Sequence, residues 1–271
     1  MKYFIFILLS VANFSLFAVE FSPFDGPKPI AVLIQPDPWA MIMGANNPRV
    51  AVYEDGTVIF LKESEKTASY RQKKLSAPEL VDFKKRLMPT TNLKDLKHFY
   101  SLIPNLTDQP KAQFYFRDGE RTLVTSIYGL RADGTKSSTL TNLSGAQAPE
   151  AGPGELLALH KFLCSLDYPD SQEWTPCYLE VMIWPYTYAP DASIIWPRDW
   201  PGLESEHSFK RGDSYSIFLD GNLRPELQKF LKSQKERGAV EIDGKKWALS
   251  WRAVFPSEPI WRKGQESAQY Y

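Results

Sequence analysis

The amino-acid sequence predicts an α+β fold in which antiparallel β-hairpins carry helices packed on one face. Three Asp-Gly dipeptides, Asp55-Gly56, Asp118-Gly119 and Asp243-Gly244, each separate two β-rich runs. A tight two-stranded turn needs positive φ, which glycine supplies at little steric cost. Helical periodicity with a capping signature lies between these hairpins. The strand-loop-helix alternation of a parallel nucleotide-binding sheet is missing. Helix and hairpin recur together in both halves, which raises the prospect of two similar small subdomains.

The chain opens on Lys2, an apolar run from Tyr3 to Val11 and a small residue at Ala18. A positive end, a short greasy stretch and a small residue form the pattern of a cleavable secretory signal. Ser10, Asn13 and Ser15 break the apolar run, which falls short of the ~20 residues that span a bilayer. Cleavage near Ala18 is therefore expected, with a retained anchor as the alternative. The mature chain would work in a secreted or periplasmic setting.

The first hairpin pairs Pro48–Tyr53 with Thr57–Leu61. A helix follows. Ser76 and Glu79 have capping-box spacing, Pro78 sits in the first turn, Phe83 and Leu87 face inward, and Pro89 stops it. The second hairpin joins Gln113–Arg117 to Arg121–Tyr128, where Leu123, Thr125 and Ile127 keep the period of a half-buried strand. A long loop, Gly129 to Gly154, leads to a helix over 155–166 with Leu156, Leu159, His160 and Leu163 at helical spacing. The second half holds a strand from Tyr178 to Trp184, a Pro/Trp-rich stretch to Pro201 and a strand over 215–219. Asn222 then reads as the cap of a helix with Leu223, Leu227, Phe230 and Leu231 inward. The third hairpin spans 239–251. The expected division is a signal peptide at 1–18, an α+β domain at 19–168, a second α+β subdomain at 169–262 and a flexible tail at 263–271.

The segments Val52-Tyr-Glu-Asp-Gly-Thr-Val58, Leu75-Ser76, Thr107-Asp108-Gln109-Pro110 and Asp118-Gly119 together resemble a recurring uncharacterised domain of exported bacterial proteins. The resemblance covers residues 48–166. It implies a bacterial cell-envelope protein and supplies no catalytic residues to carry over.

Basic and acidic residues balance at 32 each, and loss of Lys2 with the leader leaves one net negative charge. A nucleic-acid partner calls for a concentrated basic surface, which this scattered charge does not provide. Cys164 and Cys177 form an isolated pair, expected to close a disulfide in an oxidising compartment; two reduced thiols are the alternative. Histidines occur only at 98, 160 and 207, and no metal-ligand spacing includes them. Glu204, Glu206 and His207 read as a solvated acidic loop, and His160 as a core histidine on its helix. No nucleophile elbow or phosphate-cradling loop is present, so no catalytic residue, metal or cofactor is assigned. The aspartates that precede glycine are explained by turn chemistry.

The aromatic stretch carries the one candidate binding surface. Trp184, Tyr186, Trp196 and Trp200 lie in a proline-stiffened region, where exposed rings would stack on sugar faces or anchor a protein partner. The competing reading makes these rings the core between the halves. Two functions follow as expectations: a non-catalytic envelope protein that binds a polysaccharide or protein partner, or an extracytoplasmic hydrolase using dispersed carboxylates. Amino-terminal sequencing of the exported product should read from Val19; a product that begins at Met1 would remove the export reading.

Overall fold

The computed structural model describes residues 21–36, 46–63, 68–87, 95–103, 107–131, 134 and 154–267, with side chains through Arg262. The leader at 1–18, most of the 129–154 loop and the last four positions of the expected tail lie outside the described residues.

In the first half the elements are β1 (Pro29–Ile34), β2 (Pro48–Tyr53), β3 (Thr57–Glu63), β4 (Ala68–Lys74), α1 (Ala77–Leu87), β5 (Phe99–Ser101), β6 (Lys111–Asp118), β7 (Arg121–Tyr128), α2 (Gly154–Cys164) and β8 (Gln172–Glu173). In the second they are β9 (Tyr178–Pro185), β10 (Ile194–Ile195), β11 (Ser208–Arg211), β12 (Ser214–Asp220), α3 (Arg224–Lys232), β13 (Val240–Ile242), β14 (Lys245–Ala253) and α4 (Glu258–Ser267). Two sheets result, ordered β5-β7-β6-β1-β2-β3-β4-β8 and β10-β13-β14-β9-β12-β11. The pairings are antiparallel except at the edges, where β5 runs parallel to β7 and β10 to β13. The α+β expectation fits this mixture.

All three Asp-Gly turns form as hairpins. At Gly56, φ is +85° and an added Cβ would lie 2.7 Å from the Leu75 carbonyl oxygen, so the turn admits only glycine without strain. The preceding Asp55 accepts the Thr57 amide at 3.0 Å, a turn role rather than a catalytic one. Capping opens α1 as read from sequence: Glu79 Oε2 accepts the Ser76 amide at 2.7 Å and also the Ser76 hydroxyl. For α3 the reading is corrected. Asp220 accepts the Asn222 amide at 2.8 Å and starts a 3-10 turn, Gly221–Leu223, from which α3 continues.

Every residue of β1 is buried. Because alternate side chains of a strand point to opposite faces, both faces of the first sheet need cover. Leu33, Val50, Val52, Val58, Phe60, Phe114 and Phe116 join Phe83 and Leu87 of α1 and Leu156, Leu159 and Leu163 of α2 on one side. On the other, Val32, Ile34, Ala51, Tyr53, Ile59 and Tyr115 pack against Trp174, Phe255 and Trp261. Helices on a single face were expected; α4 instead closes the opposite face. A helix also replaces the predicted flexible tail as far as Ser267. Its apolar Trp261 is fully buried, which ties the segment down.

The two halves share an element order of strand, hairpin, helix, hairpin, with β1 and β9 central. Their pairing differs, however. The first strands of its hairpins, β2 and β6, flank β1, whereas the second strands, β12 and β14, flank β9. The halves are therefore not copies of one topology. Nor do they separate at 168: β8 pairs with β4 and Trp174 enters the first half's packing. The incoming chain crosses the other way. Phe21 stacks on His207 at 4.1 Å between ring centroids, Phe24 meets Phe218 edge-on, and Phe24 and Gly26 accept bonds from the Ser257 amide and hydroxyl. Among the described residues no helix is long and apolar enough to cross a membrane.

A chain of buried charges joins the halves. Glu180 of β9 and Glu258 of α4 are wholly buried, and the nearly buried Arg252 of β14 lies between them. Its guanidinium pairs with Glu180 and, at 2.5 Å, with Glu258. Ser216 donates to Glu180 at 2.6 Å, and Arg211 reaches it at 3.2 Å from the surface. Glu258 also pairs with Arg262 and accepts the Phe255 amide at 3.1 Å, and Arg262 donates to the Asn46 carbonyl at 2.9 Å. Removing the central cation would strand two carboxylates away from water. Arg252→Met should thus lower stability by about 3–5 kcal/mol, read as a reduced urea midpoint; an unchanged midpoint would show that the network carries no such load.

Candidate functional site

The predicted aromatic residues part company in the fold. Trp196 and Trp200 are in the core of the second half, 5% and 8% exposed, with centroids 4.9 Å apart in an edge-to-face pair that also meets Phe230 of α3. Trp196 Nε1 donates to the Pro201 carbonyl at 3.0 Å, which fixes the stretch against the sheet. These two residues are corrected from binding surface to core: few aliphatic side chains lie near them in sequence, so the rings themselves fill the space under α3. Trp184 is half-buried and pairs with Ala248 across β9 and β14, facing away from Pro185 and Trp247. Tyr186 does not itself line a cavity, but its neighbours Pro185 and Thr187 do.

That cavity is an open cleft of about 530 Å³ at one end of the second sheet, lined by Pro185, Thr187, Lys210, Asp213, Tyr215, Gly244, Lys245, Lys246 and Trp247. Its place follows from the register. Pro185 at the end of β9 pairs with Trp247 near the start of β14, and Lys210 of β11 pairs with Tyr215 of β12. The β11–β12 turn brings Asp213, and the third Asp-Gly turn brings Gly244 and Lys245. Asp243 and Gly244 both take positive φ there, the conformation a two-residue hairpin demands. The Tyr215 and Trp247 rings meet edge-on at 5.6 Å, with Trp247 almost fully buried and Tyr215 half-buried. Lys210 Nζ is 5.9 Å from the Tyr215 ring centroid, within cation–π range. Beside Pro185, the Tyr186 amide donates to the Lys246 carbonyl at 2.9 Å. Tyr186 in turn meets Tyr188 edge-on at 5.0 Å, and Tyr188 is 80% exposed.

Chemically, the cleft offers ring surface, the lysines Lys210 and Lys245, the backbone of Lys246 and one carboxylate. A glycoside-hydrolysing pair needs two carboxylates about 5–9.5 Å apart across the scissile bond; Asp213 has no second carboxylate beside it among the lining residues. Glu180 and Glu258, which flank Arg252, are buried and held by arginines. Among the described residues no group of three His, Cys, Asp or Glu side chains could hold a metal ion. Glu206 and His207 approach only to 3.7 Å, and the His207 ring is engaged by Phe21. His98 Nδ1 is bonded to the Val124 carbonyl at 2.9 Å.

The cysteines do not pair. Both are free and too far apart for a disulfide. Cys164 ends α2 under the first sheet, 3.6 Å from His160 Nε2, whereas Cys177 is exposed where the chain enters β9 of the second. Nearness in sequence is undone because β8 and the following turn carry the chain from one sheet to the other. The buried His160 also lies 2.9 Å from the Gln35 amide nitrogen, a packing role consistent with its place among leucines. Burial pushes the Cys164 thiol up, although Arg49 opposes the shift, so it is protonated at neutral pH and a poor nucleophile. A thiol reagent on the native protein should label Cys177 fast and Cys164 only on unfolding; a single oxidised species with no free thiol would restore the disulfide. Comparison with known proteins yields no match: no family model, curated protein or solved structure resembles this chain at a significant level.

Proposed function

We propose that the chain is an exported protein of the bacterial cell envelope that binds a polysaccharide without cleaving it, through the cleft at the end of the second sheet. The observation that carries this reading is the ring pair there, Tyr215 edge-on to Trp247, with the exposed Tyr188 and its partner Tyr186 following the lining residue Pro185 in the chain. Pyranose faces bind to such rings because their C–H edges are apolar and weakly positive, while the ring face is negative. Backbone pairing and the proline at position 185 hold the rings in place, so little side-chain entropy is lost on binding. The cleft volume falls within the range of small-ligand sites.

Export rests on the amino-terminal pattern and on the resemblance over residues 48–166. Both cysteines being free is compatible with that setting, since secretion permits a disulfide without requiring one. The absence of a second carboxylate near Asp213 favours binding over hydrolysis at this cleft.

Retention of the full mature chain on a panel of immobilised polysaccharides tests the reading. Tyr215→Ala and Tyr188→Ala should each weaken retention several-fold, as expected when a stacking ring worth about 1 kcal/mol is lost, with the folding midpoint of Tyr188→Ala unchanged. Retention that survives both substitutions would remove the cleft from consideration.

A further inference from the structure

The lining of the cleft gathers three lysines, Lys210, Lys245 and Lys246, with one carboxylate, Asp213. Lys62, Lys73, Lys74 and Lys85 each meet a carboxylate. Lys210, Lys245, Lys246 and Asp213, like several surface lysines elsewhere, form no ion pair among the described residues. The arrangement is a local excess of positive charge in a chain that balances overall at 32 basic and 32 acidic residues. Like charges gathered around one concavity repel one another, and concave low-dielectric walls focus their field on whatever enters. Such an arrangement is stabilised when an anion is present.

From this we infer that the ligand of the cleft is an anionic saccharide, a sugar bearing a carboxylate or sulfate group among its hydroxyls; the inference rests on the polysaccharide reading above. Lys245 on the β14 side and Lys210 on the β11 side meet the anionic substituent. Lysine suits this task as a compact, mobile point charge, without the fixed fork that arginine would impose. Asp213 accepts hydrogen bonds from sugar hydroxyls and repels a second anionic group close to the first. The cleft therefore selects spaced charges on a hydroxylated chain over a densely charged polyphosphate. Tyr215, with Lys210 already over its ring, supplies the face on which the sugar lies.

The test titrates the full chain with polygalacturonate, dextran sulfate and unsubstituted dextran at low and high salt. Wild type is compared with the double variant Lys210→Gln/Lys245→Gln and with a control, Lys84→Gln/Lys85→Gln, on the exposed face of α1. Binding of polygalacturonate or dextran sulfate that weakens about tenfold or more in the cleft variant, stays within about twofold in the control and falls with salt supports the inference. Whichever polymer binds identifies the anion as carboxylate or sulfate. Equal losses in both variants mean adhesion through general charge and overturn the inference. Dextran bound as tightly as the charged polymers overturns the anion preference and leaves the polysaccharide reading standing. No binding to any of the three, with Tyr188→Ala equally inert, overturns both.

Discussion

Arg252 is the group on which the architecture turns. It belongs to the second sheet, yet one of its carboxylate partners, Glu258, sits on a helix that packs against the first. Burial lowers the tendency of its guanidinium to hold a proton, and the two carboxylates more than reverse that effect, so its affinity for the proton rises overall. Desolvating three charged groups is expensive, and mutual attraction in a low-dielectric interior offsets the cost best where further hydrogen bonds satisfy the remaining atoms. Here Ser216, Arg211, Arg262 and the Phe255 amide add such bonds, while the buried Arg252 Nε is left without a hydrogen-bond partner. The same network penalises any packing of α4 in a shifted register, because a slipped helix would leave Glu258 unpaired. Charge thus specifies how the halves meet, while Phe255 and Trp261 supply the apolar area that holds them together.

Local chemistry was the legible part of the sequence. Each Asp-Gly turn and the Ser76–Glu79 capping box depend on residues within a few positions of one another, so their outcome is fixed before tertiary contacts form. Elements that depend on distant partners were not legible. The run Pro29–Ile34 is apolar throughout and carries no period by which to choose strand or helix; it becomes the central strand only because both faces find cover. Glu258–Ser267 carries four charged residues among ten and reads as a tail, but Glu258 and Arg262 turn inward to the buried network. The cysteines misled for the same reason: thirteen positions of separation say nothing about which sheet each neighbour joins.

The site followed a similar division. Aromatic density singled out the second half of the chain, but rings needed for packing and rings left exposed look alike in sequence. Trp196 and Trp200 are consumed by the space beneath α3. Lys210, Tyr215, Lys245 and Trp247 come from two hairpins separated by a helix. Only the pairing of β9 with both β12 and β14 brings them together.

The crossing of the chain ends bears on the order of synthesis. Ser257 bonds to Gly26 across 231 residues, and α4 covers a face made by strands that leave the ribosome far earlier. Until that helix emerges, Val32, Ala51, Tyr53, Ile59 and Tyr115 form a bare hydrophobic plate, the kind of surface that recruits holdase chaperones and seeds aggregation. Long-range closure of this sort also slows the final step of folding. A nascent chain with this layout stays unfinished for nearly the whole of its translation.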